Sequence, residues 1–215
     1  MKYLLLLPFV LIGCSSVKKE NSDAYALLPE SASAHITDSS IKNLIKDWPE
    51  ASQQAAQEMI SKYKLPQEAT PTHLTWFQTG PFKRSTVYKE EISHQFPIKH
   101  ADVLEQVVDY RVPFNKVDDL WNFNGSVVIS KTAGEMASWA ESEEMNLLLL
   151  NLAYEVINDK RSANEARKEL GKVVSSSMKG EQNSKMQELQ FTPSERSADP
   201  DLIMIKDEPR NAMIE

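Results

Sequence analysis

The amino-acid sequence predicts an α+β domain in which a small antiparallel sheet packs against several helices. Apolar residues recur at helical spacing near both ends of the central region, and strand-like runs separated by glycine-containing turns lie between them. Both terminal regions are polar, with few large apolar side chains beyond the first residues. We therefore expect a globular domain over residues 41–179, preceded by a flexible tether and followed by a disordered acidic tail over residues 180–215.

Composition narrows the class of function. The chain has 215 residues, a net charge of -7, 41% hydrophobic residues and 26% charged residues, which is typical of a globular protein. The acidic balance argues against nucleic acid as a partner, because phosphate binding requires clustered Lys and Arg. The single cysteine excludes an internal disulfide, and the six glycines form no Gly-rich phosphate loop.

Two helices are expected at the start of the domain, over residues 41–48 and 49–63. Each has an apolar stripe, formed in the first by Ile41, Leu44, Ile45 and Trp48, and in the second by Ala55, Ala56, Met59, Ile60 and Tyr63. Asp47 and Glu50 have capping-box spacing, with Pro49 in the first turn, so the second helix is predicted to begin there.

Two antiparallel hairpins are expected next. The first pairs residues 74–78 with 82–92, and the second pairs residues 126–130 with 135–140. Between them, residues 102–111 are predicted to form a helix capped by Asp102, because Val103, Leu104, Val107 and Val108 have helical spacing. A short helix over residues 115–121 follows, and Trp121, Phe123 and Trp139 are assigned to the core.

Two long helices are expected to complete the domain. Residues 143–159 are apolar on nearly all sides, which predicts a central buried helix, and Asn146 and Asn151 argue against a membrane span. Ser162 and Glu165 form a second capping-box pair, which predicts a helix ending near Met178. In the tail, the apolar run of residues 202–205 is either a short linear binding motif or an ordinary part of the tail.

The first residues have the pattern of a cleaved export signal. Lys2 precedes an apolar run over residues 3–12, which has the length of a signal peptide and is too short to span a bilayer as a helix. The run ends in Leu11-Ile12-Gly13-Cys14, which resembles the lipobox of bacterial lipoproteins. The resemblance covers this segment alone and implies a signal peptide over residues 1–13, with Cys14 as the lipidated N-terminal residue of a tether over residues 14–40.

This resemblance implies a location in the bacterial cell envelope. The covalent lipid on Cys14 would insert into the bilayer, and two or three acyl chains give stable anchoring where one is marginal. Ser15 stands where an Asp resembles an inner-membrane retention signal, so the outer membrane is expected if the host has two membranes. A Cys14 that merely follows an ordinary secretory signal is the alternative.

One cluster of residues has the chemistry of a metal site. His94, His100 and Asp102 are suitable ligands for zinc or a similar metal. In an extended strand the two histidines would lie about 20 Å apart, so only a sharp bend at Pro97 brings them together. The spacing favours the other interpretation, a loop histidine followed by an Asp102 that caps a helix.

The first hairpin also suggests a binding surface for an anionic ligand, a carbohydrate or a partner protein. It combines aromatic and cationic side chains, namely Trp76, Phe82, Lys83, Arg84 and Tyr88. The alternative, which is the commoner use of aromatic residues, is that they pack inside and leave the two cations at a solvated rim.

The function expected from these observations is that of a membrane-anchored envelope lipoprotein that acts as a partner-binding or scaffold module. Catalysis is not favoured, because no nucleophile motif is present and the only cysteine is assigned to lipid. The alternative is a metal-binding protein or metal-dependent hydrolase that uses His94 and His100, and zinc is expected only under that alternative.

Overall fold

The computed structural model describes residues 36–194 and 201–204. The predicted signal peptide, Cys14, the tether up to residue 35 and most of the final part of the tail lie outside the described residues. Within the described part, six strands form one antiparallel sheet and five α-helices accompany it, so the α+β prediction is confirmed.

The elements follow one another along the chain with short connections. The helices are α1 (Asp38–Ile45), α2 (Glu50–Tyr63), α3 (Val117–Phe123), α4 (Glu143–Ile157) and α5 (Ala163–Ser177). The strands are β1 (Glu68–Ala69), β2 (His73–Thr79), β3 (Phe82–His94), β4 (His100–Asp109), β5 (Val127–Ser130) and β6 (Glu135–Ala140). The sheet order is β1-β2-β3-β4-β6-β5, and short 3₁₀ helices cover Phe114–Lys116 and Ser184–Met186.

The domain begins earlier than the sequence predicted. Thr37 caps α1 in a reciprocal capping box with Ser40, so the tether assigned to residues 14–40 extends too far. The predicted box of Asp47 and Glu50 is also wrong, because Pro49 is the N-cap of α2 and no side chain caps that helix. Proline serves this position because its fixed φ suits the entry to a helix.

The largest difference from the sequence prediction is β4, which was expected to be a helix over residues 102–111. Its neighbours on the two sides are β3 and β6, with Leu104 paired to Val87 and to Ala140. Such a central strand is covered on both faces, so apolar residues need not alternate along it. Val103, Leu104, Val107 and Val108 are all buried, and this run fits a doubly covered strand as well as a helix.

The apolar core consists of two clusters. One joins α3, α4 and α5 to β5 and β6, and the other joins α1 and α2 to β2, β3 and β4. Phe123 is buried as predicted, and Trp139 is partly buried, but the assignment of Trp121 to the core is wrong because 74% of this residue is exposed. Within residues 36–194 and 201–204, no helix combines the length and apolar character needed to cross a membrane.

The first part of the predicted acidic tail packs on the domain. Met186 is 9% exposed and belongs to the cluster around α4. Asn151 of α4 donates from Nδ2 to the carbonyls of Lys185 (2.9 Å) and Glu188 (2.8 Å), and its Oδ1 accepts from the backbone N–H of Gln190 (2.7 Å). The boundary predicted at residue 180 is therefore too early, since this buried amide fixes the following segment to the core.

Replacing the buried Met186 with Ala tests whether this segment is part of the core. We expect Met186→Ala to lower the free energy of unfolding by about 2–4 kcal/mol, the usual cost of truncating a buried methionine. The matched control is Met178→Ala, since Met178 is 71% exposed, and its effect should stay within about 0.5 kcal/mol. Equal effects of the two variants in urea unfolding would show that residues 181–194 do not contribute to the core.

Candidate metal centre

The turn between β3 and β4 brings together two histidines that are six positions apart in the chain. His94 ends β3 and His100 begins β4, and the two residues are direct partners in the antiparallel register. Their ring centroids are 4.8 Å apart. The chain reverses between these two residues, with bends over residues 96–99, so the bend that the sequence required at Pro97 is present and the distance calculated for an extended chain does not apply.

The end of this hairpin is bent against the helices. Between the pairs Val87–Leu104 and Ile92–Asp102 the register of β3 against β4 shifts, and such an irregularity bends a strand. At the tip of the hairpin, the centroid of the Phe96 ring lies 3.8 Å from the guanidinium carbon of Arg167 in α5. The guanidinium also donates to the carbonyl of Phe123 (2.8 Å), so the tip is fixed against α3 and α5.

The carboxylate of Asp102 is at the centre of the cluster. His94 Nδ1 lies 3.2 Å from its Oδ2, and His100 Nε2 lies 3.0 Å from its Oδ1. The Ser126 hydroxyl donates to Oδ2 at 2.6 Å. Asp102 is only 2% exposed, and it belongs to β4, so the interpretation in which it caps a helix is wrong.

Two buried carboxylate oxygens in this cluster lack a well-aligned hydrogen bond within the described residues: Asp102 Oδ1, despite its contact with His100, and Glu141 Oε2. Glu141 follows the last residue of β6, and its Oε2 lies 3.7 Å from His100 Nε2. Buried anionic oxygens without hydrogen bonds are costly, so they mark a place where a cation improves the structure.

The orientation of the His100 ring suits metal binding. Its Nδ1 lies 2.8 Å from the Ile98 carbonyl, which accepts the hydrogen bond and therefore assigns the ring proton to Nδ1. In the neutral ring, Nε2 then presents its lone pair to the two carboxylates. Metal-binding histidines usually have this arrangement, with the second ring nitrogen bonded to a carbonyl or carboxylate.

Without a metal, the cluster holds a proton instead. The paired carboxylate of Asp102 raises the pKa of His100 to about 9, against the lowering effect of burial, and the Ile98 carbonyl and Glu141 add smaller increases. A metal ion must displace this proton, because only the neutral imidazole is a ligand.

The distances are compatible with one zinc-type ion. One ligand atom from each of His94, His100 and Asp102 can be chosen so that all three lie within 4.8 Å of one another. Two atoms that both bind zinc at 2.0–2.1 Å stand about 3.3 Å apart in a tetrahedron and at most about 4.1 Å apart. The contacts of 3.0 and 3.2 Å are close to the first value, but they involve different oxygens of Asp102. With one oxygen as the ligand, side-chain rotation must bring the three ligand atoms, which lie within 4.8 Å of one another, to within about 4.1 Å.

Sequence reasoning missed Ser126 and Glu141. Ser126 directly precedes β5 and Glu141 connects β6 to α4, so both are far in the chain from the β3–β4 turn. The Asn124-Gly125 pair predicted a turn, but it gave no indication of what the following side chain, Ser126, contacts. The pairing of β6 with both β4 and β5 brings Ser126 to Asp102 and Glu141 to His100.

A second polar cluster lies between α2 and the start of α4, beside a cavity of about 590 Å3 whose wall includes Glu141. Here the Glu143 carboxylate accepts from Gln106 Nε2 (2.7 Å) and from the Tyr63 hydroxyl (2.9 Å), and it also pairs with Lys62. Burial, together with the Glu143 charge, raises the pKa of Tyr63 to about 12. This carboxylate is fully partnered, so the cluster braces α2 against α4.

The binding surface suggested for the first hairpin is not formed. Trp76 and Phe82 are 0% and 1% exposed, so both aromatic side chains pack in the core. Lys83 pairs with Asp109 (3.0 Å) and Glu135 (2.8 Å), and Arg84 also pairs with Glu135 (3.1 Å). Tyr88 stacks on Trp139 and donates to Glu105 (3.3 Å), so these side chains have structural partners within the sheet.

Comparisons of the chain with protein-family models, with curated proteins and with solved structures found no match.

The pairing of His100 with Asp102 predicts an unusual titration in the metal-free protein. In chelator-treated protein, NMR titration should give a His100 pKa of about 9, and Asp102→Asn should lower it because the largest cause is removed. The folded pKa exceeds the unfolded value of 6.5, so this pairing stabilises the fold fully below about pH 6.5 and the contribution disappears as pH rises through about 9. An unchanged His100 pKa in Asp102→Asn would contradict the pairing.

Proposed function

We propose that this protein is a non-enzymatic, metal-binding module of a lipid-anchored envelope protein, with a zinc-type divalent ion bound by His94, His100 and Asp102. The observation that supports this best is the buried Asp102 carboxylate, which has an imidazole nitrogen within 3.2 Å of each of its oxygens. Two histidines and a carboxylate form a donor set that zinc commonly uses in proteins.

Charge balance supports a divalent ion. When both imidazoles are neutral, as metal binding requires, Asp102 and the adjacent Glu141 carry two negative charges in this cluster, of which that of Asp102 has almost no contact with water and that of Glu141 is on a side chain that is 36% exposed. Uncompensated charges in such a place are strongly destabilising. An ion of charge +2 neutralises the pair, and the histidines supply the nitrogen ligands that favour zinc over calcium or magnesium.

The lipid anchor remains a proposal from the sequence, because Cys14 lies outside the described residues. The apolar run that ends in Gly13-Cys14 supports it, and the described domain begins at residue 36, which leaves a connecting segment between the lipid and the metal centre. We infer that the module works at a membrane surface, facing the periplasm or the cell exterior.

A partner-binding or scaffold role is the second candidate. It is supported by three consecutive apolar residues in the final described segment, Leu202, Ile203 and Met204, which are 89%, 76% and 94% exposed. A short exposed apolar motif between acidic residues is a common recognition element for another protein. An envelope protein would be the partner, and the metal centre would then stabilise the domain that presents the motif.

Zinc binding to the full chain, purified without chelator or His tag, tests the main proposal. We expect one ion per chain by calorimetry, and at a free zinc concentration of 100 times Kd the folded state should gain about 2.7 kcal/mol. His94→Ala should abolish both the binding and the stabilisation.

The matched control is His73→Ala. His73 lies on β2, where its ring contacts the hydroxyls of Thr70 (3.1 Å) and Thr72 (3.2 Å), and it takes no part in the cluster. Its variant should bind zinc as the wild type does. Equal losses in both histidine variants, or no zinc binding by the wild type, would contradict the metal centre.

Replacing Cys14 with Ser tests the anchor separately. Without the thiol no thioether to lipid can form, so the variant should leave the membrane fraction after cell fractionation, whereas the wild type sediments with membranes. The mature N-terminal peptide of the wild type should show the mass of the attached acyl groups. A Cys14→Ser protein that sediments like the wild type would rule out lipid anchoring through this residue.

A further inference from the structure

The metal centre proposed above leaves one position of a zinc tetrahedron to be filled. The three residues His94, His100 and Asp102 supply one ligand each, and zinc sites in proteins are almost always four-coordinate. A fourth ligand from the protein gives a closed site that holds the ion, whereas a water molecule in that position gives an open site suited to catalysis. The identity of the fourth ligand therefore decides what kind of centre this is.

Glu141 is placed to supply it. Its Oε2 lies 3.7 Å from His100 Nε2, between the tetrahedral spacing of about 3.3 Å and the limit of about 4.1 Å. Rotation of its partly exposed side chain would bring it towards the other ligand atoms. The same oxygen is buried and has no hydrogen-bond partner within the described residues, although the Glu141 side chain as a whole is 36% exposed. Glu141 Oε2 and Asp102 Oδ1, which is 3.0 Å from His100 Nε2, thus both lie close to the same ring nitrogen.

Backbone connections hold Glu141 in this position. It directly follows Ala140, the last residue of β6, whose register partner is Leu104 on β4. It directly precedes Ser142, whose side chain accepts from the Met145 N–H and caps α4. Glu141 is thus fixed between a strand and a capped helix, so its carboxylate reaches the cluster with little loss of backbone freedom.

Ser126 has a different part in the same site. Its hydroxyl donates to Asp102 Oδ2 at 2.6 Å and lies 3.2 Å from His94 Nδ1. It therefore bonds to Oδ2 and leaves Oδ1 to face His100 Nε2. Outer hydrogen bonds of this kind orient ligating carboxylates.

We propose that Glu141 is the fourth protein ligand, which makes the centre a closed site of two histidines and two carboxylates. This inference rests on the proposed metal function. The ion would connect the end of the β3–β4 hairpin to the junction of β6 and α4. With no open position for substrate or water, the centre holds its ion and stabilises the domain.

Zinc affinity of the full chain, measured by competition with a chromophoric chelator, tests this inference. Glu141→Gln should weaken zinc binding by at least about tenfold, since changes even to outer groups of metal sites cost 10–100-fold. The control is Glu144→Gln, because Glu144 is exposed on the wall of the same cavity and is not in the cluster. It removes the same charge and should change the affinity by less than twofold.

A second variant separates ligation from long-range charge. Glu141→Asp keeps the negative charge but withdraws the oxygen by one methylene, so a ligand predicts a large loss and a distant charge predicts almost none. Cobalt substitution gives an independent signal. The visible bands of bound Co²⁺ should change in both Glu141 variants and remain unchanged in Glu144→Gln.

Zinc affinity within twofold of the wild type in both Glu141→Gln and Glu141→Asp would overturn Glu141 as a ligand and leave the three-residue centre standing. Failure of the wild-type chain to bind zinc would instead overturn the metal function and this inference with it. A loss confined to the Glu141 variants, with Glu144→Gln normal, would support the closed site.

Discussion

The buried carboxylate of Asp102 is the constraint on which the site depends. The negative charge of a side chain that is only 2% exposed must be compensated, and residues from several surrounding elements do this. β3 supplies His94, β4 supplies His100, and the residue before β5 supplies the Ser126 hydroxyl. Without Asp102, these groups would have no common partner.

The fold makes this compensation possible by bending its longest hairpin. The register shift between Val87 and Ile92 turns the end of the hairpin, and Arg167 holds Phe96 at the tip. The turn end of the hairpin is thus placed beside Ser126, the residue before the edge strand β5. Through the pairing of β4 with β6, the same arrangement brings Glu141 close to His100. The metal ion proposed here would join parts of the chain that are already in contact.

Most of the architecture follows from local patterns in the sequence, with β4 as the main exception. The Ser162 capping box, the apolar α4 and the β5–β6 hairpin were predicted because their signals are local. β4 was not predicted to be a strand, because a central strand covered on both faces lacks the alternation of apolar and polar residues by which strands are recognised. Its valines were the remaining indication, since β-branched residues favour strands.

The site was predictable in its residue types but not in its geometry. The sequence identified His94, His100 and Asp102 as possible ligands, and whether the histidines meet depended on a turn whose shape spacing alone does not determine. Glu141 and Ser126 enter through contacts between strands that are distant in the chain, so no local pattern could indicate them. Trp121 was assigned to the core by its residue type, and Met186 to the tail by the polar composition of its segment. In the structure Trp121 is exposed and Met186 is buried in the core.

Anomalous diffraction at the zinc absorption edge, from crystals of the protein purified without chelator, tests the central claim most directly. The account predicts one strong peak within about 2.0–2.2 Å of an imidazole nitrogen of His94, Nε2 of His100 and a carboxylate oxygen of Asp102. A site with no anomalous peak after zinc addition, in which His100 still pairs directly with Asp102, would contradict it. The buried carboxylate would then be compensated by a proton, and the cluster would serve only to hold the hairpin in place.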